Sequence, residues 1–190
     1  MRIVLASGSP RRFELLRQIG VNFEVEPSNV DEVRLEAEHP VTLAERLALA
    51  KARDVAARHS DALVVGADTI VVLGERVLGK PRDKADACEM LRDLSGRQHV
   101  VITGVALVHA PSGRERVEYE QSAVWIRPLT PDQIARYVAT GEPMDKAGAY
   151  AVQGLASALV ERLEGCYFNV MGLPIARLVR MLEGFGVEVL

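Results

Sequence analysis

An acidic residue interrupts an apolar segment of this sequence. Residues 63–73 read Leu-Val-Val-Gly-Ala-Asp-Thr-Ile-Val-Val-Leu, and the β-branched residues in this run predict a central strand. Inside such a strand the carboxylate of Asp68 is costly unless a cation pairs with it or a metal ion binds it. The alternative is a carboxylate at an exposed strand end, capping a turn near Gly66. Because β-branched residues continue on both sides, Asp68 is our first candidate for chemistry.

Lys51 interrupts the apolar face of a predicted helix in a similar way. The pattern Thr42-x-x-Glu45 has the form of a capping box and predicts a helix that runs toward Arg58. One face of that helix carries an apolar stripe of Ala44, Leu47, Ala48, Ala52 and Val55. Lys51 falls inside the stripe, so its ammonium group either extends to the helix edge or meets an anion. The sequence leaves both alternatives open.

A turn and two arginines follow the predicted first strand. Residues 7–12 read Ser-Gly-Ser-Pro-Arg-Arg, which places the proline at the first position of a helix and both arginines in its first turn. Cations there are disfavoured by about 0.3–1 kcal/mol each, because the helix N-terminus is itself positive. A bound anion would reverse that effect by accepting hydrogen bonds from free N–H groups and guanidinium groups. The alternative is that both arginines point into water, but the combination favours a phosphate site at Ser7, Arg11 and Arg12.

Lys80 follows a segment that only partly matches a phosphate-binding P-loop. The spacing Gly74-x-x-x-x-Gly79-Lys80 fits, but Pro81 stands where a serine or threonine would bind magnesium. We therefore reject the P-loop interpretation. Lys80 is still a candidate to bind phosphate, and the alternative is a solvent-exposed lysine at the tip of a hairpin.

The composition limits the classes of protein to which the chain can belong. Its 190 residues are 48% hydrophobic and 26% charged, as in a soluble globular domain. The formal net charge of -3 and the aromatic content of 5% disfavour a nucleic-acid-binding module, which needs a basic face. Cys88 and Cys166 have no C-x-x-C spacing and indicate free thiols in a cytoplasmic protein. No apolar run approaches the roughly 18 residues of a membrane span, so we expect no membrane partner.

Hydrophobic periodicity and turn signals predict the elements that position these residues. Strands are predicted at 2–6, 23–26, 63–73, 100–108, 117–126, 148–152 and 159–163. Helices are predicted at 10–19, 42–58, 83–94, 130–141 and 174–182, with Asp83 and Thr130 as N-caps. Strands and helices alternate without repeats or a linker. The pattern therefore predicts one α/β domain over residues 1–190 with a mixed β-sheet.

Together with further short motifs, these segments resemble the Maf family of nucleoside triphosphate pyrophosphatases. The resemblance spans nearly the whole chain, and the motifs are specific as an ordered set rather than singly. The principal motifs are Leu-Ala-Ser-Gly-Ser-Pro-Arg-Arg at 5–12, Val-Asp-Glu at 30–32, Lys-Ala at 51–52, Gly-Ala-Asp-Thr at 66–69, Gly-Lys-Pro at 79–81 and Asp-Lys-Ala-Gly-Ala-Tyr-Ala-Val-Gln-Gly at 145–154.

The resemblance implies an elongated mixed β-sheet flanked by helices, like the fold of the inosine triphosphate pyrophosphatases. It also implies a divalent metal cation, Mg2+ or Mn2+, and cleavage between the α- and β-phosphates with release of pyrophosphate. Asp68 falls on the family's proton acceptor. Glu32, in a segment that would otherwise pass as surface charge, falls on an acidic site position and would bind the metal with Asp68. The positions of the family's phosphate-binding cations correspond to Arg11, Arg12, Lys51 and Lys80.

Base specificity is argued from three positions at which subgroups of the family differ. Members that act on dTTP and UTP resemble this chain, which has Arg12, Thr69 and Gln153. Members that act on 7-methyl-GTP tend to carry Trp, Gln and Glu there. A glutamine amide both donates and accepts hydrogen bonds, which matches the edge of uracil or thymine. We therefore expect hydrolysis of dTTP, UTP and modified pyrimidine triphosphates, as house-cleaning of the nucleotide pool.

Two other functions stay open at this point. One is a 7-methyl-GTP pyrophosphatase, and the other is a non-catalytic nucleotide sensor linked to septum formation. The acidic residues and lysines favour an enzyme, because a sensor needs no carboxylate that activates water. The expected ligand is a small-molecule nucleoside triphosphate and not a nucleic acid, and whether the chain forms a homodimer is left open.

Overall fold

The computed structural model describes residues 1–189, in which seven strands form one mixed sheet and helices flank it. The strands are Arg2–Leu5 (β1), Glu24–Val25 (β2), Ala62–Leu73 (β3), Arg76–Leu78 (β4), Gln98–His109 (β5), Arg114–Ile126 (β6) and Val160–Glu164 (β7). The α-helices are Pro10–Gln18 (α1), Pro40–Ala56 (α2), Lys84–Leu94 (α3), Pro131–Ala139 (α4), Tyr167–Met171 (α5) and Ile175–Glu183 (α6). This architecture confirms the predicted fold class.

The long strand β3 lies inside the sheet. The strand order is β2-β1-β3-β5-β6-β7, and β4 pairs with β3 outside that path. β1 runs parallel to both β2 and β3, so that Val4 stands opposite Glu24 on one side and Val64 on the other. β3 with β4 and β6 with β7 are antiparallel. A strand covered on both faces reads as a nearly continuous apolar run, which explains the composition of β3.

The chain divides into two compact units, with the division falling inside β3, β5 and β6. The first unit consists of residues 1–68, 103–120 and 172–189. One cluster of its core consists of small and β-branched residues: Val4, Val64 and Ala106 of the sheet pack with Ala48 and Ala52 of α2. These small side chains allow the helix and the sheet to approach closely.

The second unit consists of residues 69–102 and 121–171. Larger side chains fill its core, among them Leu91 and Leu94 of α3, Ile126 of β6, and Ile134 and Val138 of α4. The predicted caps of its helices are confirmed. Asp83 accepts a hydrogen bond from the backbone of Asp86, and Thr130 begins a full capping box. That residues 1–190 form a single domain stays a prediction.

Two local predictions are wrong. Helix α2 begins at Pro40 rather than near Thr42, because His39 caps it and the proline occupies its first position. The strand predicted at 148–152 is absent from the described chain. Three 3-10 turns occupy this region, at Glu142–Asp145, Ala147–Ala149 and Gly154–Ala158. Gly148 and Ala149 have φ angles of 70° and 59°, and this left-handed backbone is incompatible with a strand. Within residues 1–189, no helix is both long and apolar enough to cross a membrane.

Candidate active site

Lys51 joins two carboxylates that are distant in the sequence. Its Nζ donates a hydrogen bond to Oδ1 of Asp68 at 2.6 Å and to Oε1 of Glu32 at 2.5 Å. Lys51 and Asp68 are both buried, with 8% and 5% of their surface exposed, whereas the Glu32 side chain is 47% exposed. Lys51 therefore meets anions rather than extending to the helix edge. We call Glu32, Lys51 and Asp68 the ion cluster.

The close packing of α2 on β3 brings Lys51 to Asp68. Gly66 and Asp68 are two residues apart on β3, so both face the same side of the sheet. A Cβ at Gly66 would overlap the carbonyl oxygen of Ala48 and would lie 2.9 Å from the amide nitrogen of Ala52. Only glycine permits this approach, and Lys51 is carried by the same turn of the helix. The apolar stripe of α2 packs on the sheet, and the missing side chain at Gly66 allows a close approach. Together they place the Lys51 ammonium group beside the Asp68 carboxylate.

The electrostatics of Asp68 combine two opposing effects. Burial raises the pKa of the Asp68 carboxyl above its usual range, and the negative charge of Glu32 acts in the same direction. The positive charges of Lys51 and Arg12 oppose that shift without cancelling it. The result is a carboxylate that is more basic than usual and held beside two cations.

Arg12 extends the positive side of this site. From the first turn of α1 its Nε donates to the carbonyl oxygen of Gly172 at 2.8 Å, and its Nη1 donates to Oγ of Ser7 at 3.2 Å. Burial lowers the pKa of the Arg12 guanidinium, while the charges of Asp68 and Glu32 oppose that change. The group nevertheless stays protonated, because an arginine is not deprotonated in proteins. The positive charge of its half-buried neighbour Arg11 also lowers the pKa of Arg12.

The remaining predicted site residues belong to the second unit. Thr69 follows Asp68 directly on β3 and is partly exposed, and Lys80 is exposed just after β4. Gln153 precedes the 3-10 turn Gly154–Ala158, which Glu142 holds by accepting hydrogen bonds from two backbone amides of this turn. The first unit therefore brings together Ser7, Arg11, Arg12, Glu32, Lys51 and Asp68. A contribution of Thr69, Lys80 and Gln153 to the same site stays a prediction.

Sequence reasoning missed several residues that support the ion cluster. Arg46 and Glu38 form a bidentate ion pair beside Glu32, and Gly172 supplies the carbonyl group that holds Arg12. Charged residues outside any pattern give no signal in the sequence, and the Gly-Leu-Pro turn at 172–174 does not reveal that the Gly172 carbonyl group holds Arg12. The spacing of Arg46 and Lys51 on one helix becomes informative only when the path of residues 26–39 is known.

The two carboxylates of the ion cluster are suitable ligands for a divalent metal cation. Among residues 1–189 no group of three or more His, Cys, Asp or Glu side chains is arranged to hold a metal ion. Mg2+, however, is commonly bound by one or two carboxylates, with water and substrate phosphates as its other ligands. Glu32 and Asp68 provide that kind of donor set, so the residues present fit the expected metal.

Comparison with known proteins places the chain in a fold class and then in a family. The Staphylococcus aureus Ham1 protein has a similar structure, with a TM-score of 0.56 and 18% identity over 97% of this chain and 100% of that chain. The two proteins thus share a fold. The family model described as Maf-like protein matches residues 2–185.

Relatives with high sequence identity cover almost the entire chain. A dTTP/UTP pyrophosphatase of Moorella thermoacetica is 56% identical over 99% of this chain and 97% of its own length. A dTTP/UTP pyrophosphatase of Pelotomaculum thermopropionicum is 54% identical over 99% of this chain and 98% of its own length. This chain belongs to the Maf family, as its ordered motifs predict.

Proposed function

We propose that this protein is a nucleoside triphosphate pyrophosphatase that hydrolyses dTTP and UTP to the monophosphate and pyrophosphate in the cytoplasm. The ion cluster beside Arg12 is the observation that carries the proposal, because it combines a basic carboxylate with cations that can face phosphate groups. The names of the Moorella and Pelotomaculum relatives support the same reaction.

Asp68 is the proposed proton acceptor. The oxygen of a water molecule forms a bond to the α-phosphorus, and the bond from that phosphorus to the α–β bridging oxygen breaks. The bridging oxygen leaves with pyrophosphate, and the water proton passes to Asp68. Burial raises the pKa of Asp68, which makes it a better base than an ordinary aspartate, while Lys51 keeps it oriented at 2.6 Å.

A divalent metal cation, Mg2+ or Mn2+, is part of the proposal. Glu32 and Asp68 would hold it, and when bound it would neutralise phosphate charge and favour ionisation of water. Lys51 would then keep the two carboxylates close to each other between turnovers. Both side chains already converge on its ammonium group.

Basic side chains stabilise the negative charge of the substrate. Arg11 and Arg12 are on the first turn of α1, where the free backbone N–H groups also favour an anion. We assign Arg11, Arg12 and Lys80 to the phosphates, with Ser7 as a hydrogen-bonding partner. Fixed cations of this kind act most strongly on the charge that develops on the leaving pyrophosphate.

We assign the choice of base to Arg12, Thr69 and Gln153. The amide of Gln153 can donate to and accept from the edge of uracil or thymine. The backbone amides of Leu155 and Ala156, two and three residues later, are held by Glu142, so this segment is fixed close to Gln153. An anchored backbone next to Gln153 would support such a contact with uracil or thymine.

The direct test is pyrophosphate release from dTTP, UTP, CTP, GTP and 7-methyl-GTP, with Mg2+ or Mn2+ and with a chelator. We expect metal-dependent turnover that is highest for dTTP and UTP. Highest turnover of 7-methyl-GTP would retain the enzyme class and refute the assignment of base specificity. Nucleotide binding without turnover of any substrate would refute the enzyme and favour a nucleotide sensor.

A further inference from the structure

Glu32 is the exposed member of the ion cluster, and no helix or strand carries it. It lies between β2 and α2, in residues 26–39, which form no regular structure before the helix begins at Pro40. A carboxylate on such a segment samples many positions unless other contacts restrain the backbone. The contacts that restrain it therefore control how often Glu32 reaches Lys51.

Arg46 of α2 holds the backbone immediately after Glu32. Its Nη2 donates a hydrogen bond to the carbonyl oxygen of Val33 at 2.8 Å. Its Nε and Nη2 also donate to Oε1 and Oε2 of Glu38 at 2.6 Å and 2.8 Å. Only a guanidinium group offers this planar pair of donors, which fixes both the distance and the orientation of the carboxylate.

Glu38 closes the arrangement from the other side of the segment. Its side chain is 6% exposed, and its Oε2 accepts a hydrogen bond from the backbone amide of Leu35 at 3.2 Å. The hydrogen bonds from Arg46 hold the pKa of Glu38 below its usual range, even though burial acts in the opposite direction. Residues 33–38 are thus tied to one guanidinium group at two points.

Helix α2 holds the segment on both sides of Lys51. Toward the C-terminus of the helix, Asp54 Oδ2 accepts a hydrogen bond from the backbone amide of Asn29 at 2.9 Å. Toward the N-terminus, Arg46 holds Val33. Glu32 lies between these two anchor points, and Lys51 lies between Asp54 and Arg46 on the helix. The geometry directs the Glu32 carboxylate onto the ammonium group.

We propose that Arg46, acting together with Glu38, is a positioning residue for Glu32 in the hydrolysis reaction. This inference rests on the proposed function, because Glu32 matters to catalysis only if the ion cluster is the active site. Arg46 fixes the peptide that follows Glu32 and so keeps its carboxylate within reach of Lys51 and of the metal cation. Arg46 itself contacts backbone and Glu38, and these contacts act on the reaction through Glu32. Its positive charge also interacts with Asp68, an effect that Arg46→Lys retains.

The kinetic test compares Arg46→Met with Arg53→Met. Arg53 is on the same helix and forms a bidentate ion pair with Glu115, at 2.7 Å for both hydrogen bonds, outside residues 26–39. Misplacement of a catalytic group by about 1 Å can reduce the rate up to about a hundredfold. We expect Arg46→Met to lower kcat for dTTP about 10- to 100-fold, and Arg53→Met to leave it nearly unchanged. Equal effects of the two variants would refute the proposal.

Two further variants separate positioning from charge and from general stability. Arg46→Lys retains the positive charge but not the planar pair of donors, and we expect it to remain close to Arg46→Met. In a Glu32→Gln background, Arg46→Met should lower kcat much less than it does in the parent protein, because its main effect passes through Glu32. Rescue by lysine, or a full additional loss in the double variant, would contradict the proposal.

Hydrogen exchange provides a measurement that does not depend on turnover. We expect backbone amides of residues 30–38 to exchange faster in Arg46→Met than in the parent protein or in Arg53→Met, whereas those of β3 stay unchanged. If the parent protein hydrolyses no triphosphate, the proposed function fails and this exchange experiment still decides whether Arg46 holds the segment. Unchanged exchange at residues 30–38 would overturn the inference in either case.

Discussion

At the residue scale, the proposed chemistry requires that Asp68 stay ionised in a buried position. Burial raises its pKa, and the charges of Lys51 and Arg12 limit that rise. The same balance gives the carboxylate greater affinity for a proton than an exposed aspartate has. Asp68 is therefore suited to accept a proton from water, provided that the pH stays above its raised pKa.

The first prediction concerns the acid limb of the reaction. Because only ionised Asp68 can accept a proton or bind the metal, kcat/KM at subsaturating metal should fall as the pH drops through a value above the ordinary aspartate pKa of about 3.9. The measurement is a pH profile of dTTP hydrolysis. A profile that stays flat down to the ordinary pKa would contradict a role for the raised pKa of Asp68.

Replacement of the same carboxylate should remove most of the turnover. Loss of a general base typically lowers the rate by about 10²–10⁴, so Asp68→Asn should reduce kcat by a factor in that range. Asp61→Asn is the control, because Asp61 is 63% exposed and pairs with Arg2 near the other end of β3. If Asp68→Asn keeps near-normal turnover, the assignment of the base is wrong.

At the scale of elements, α2 determines the geometry of the ion cluster. It packs on β3 through Gly66 and on β5 through Gly104, where an added Cβ would overlap the backbone of Ala44. The helix carries Lys51 to Asp68 and, through Arg46, also holds the segment of Glu32. One element therefore positions two members of the cluster, and a small outward movement of it would disturb both.

A methyl group at the helix–sheet contact should show this coupling. Gly66→Ala places a Cβ against backbone atoms of α2, which cannot move aside as a flexible side chain can. We expect the free energy of unfolding in urea to fall by about 1–3 kcal/mol and kcat for dTTP to fall as well. Gly79→Ala is the control for stability, because its added Cβ would have no atom within 4 Å. Equal stabilities of the two variants would argue against close packing as the cause.

At the scale of the whole molecule, each compact unit contains its own buried polar group. The first unit has the ion cluster, and the second has His99, whose Nε2 lies 2.6 Å from the hydroxyl oxygen of Tyr150. Within the described chain, Nδ1 of His99 has no hydrogen-bond partner. Burial lowers the pKa of His99 to about 4 and raises the pKa of Tyr150. His99 is therefore neutral in the folded protein at neutral pH.

This buried histidine should make the folded protein sensitive to acid. The unfolded chain binds a proton at His99 below its ordinary pKa of about 6.5, whereas the folded chain does so only near pH 4. The corresponding stability is present above about pH 6.5 and is lost as the pH falls toward 4, by up to about 3 kcal/mol. Urea unfolding across this pH range should show a smaller decrease for His99→Gln than for the parent protein. His109→Gln, at the half-buried end of β5, is the control, and an unchanged decrease in His99→Gln would refute this origin.

Strong local signals made most elements predictable from the sequence. The capping box at Thr130, the cap at Asp83 and the apolar run of β3 act between near neighbours, and each is confirmed. The predicted start of α2 is wrong because the sequence contains two competing start signals. The helix begins at Pro40 with His39 as its N-cap, rather than at the pattern that begins with Thr42. The strand predicted at 148–152 is wrong because Gly148 and Ala149 have positive φ angles. Hydrophobic periodicity gives no information about the sign of a φ angle.

The sequence by itself determined that Asp68 and Lys51 break their apolar patterns, since burial follows from the periods of strand and helix. Whether Lys51 would meet an anion, and which one, was decided only by the tertiary structure. The helix approaches β3 closely at Gly66, and the irregular segment before it brings Glu32 within 2.5 Å of the ammonium group. Only the tertiary structure likewise shows that Arg46 holds the segment of Glu32 and that Gly172 holds Arg12. Such contacts join residues far apart in the chain, and packing rather than local pattern selects them.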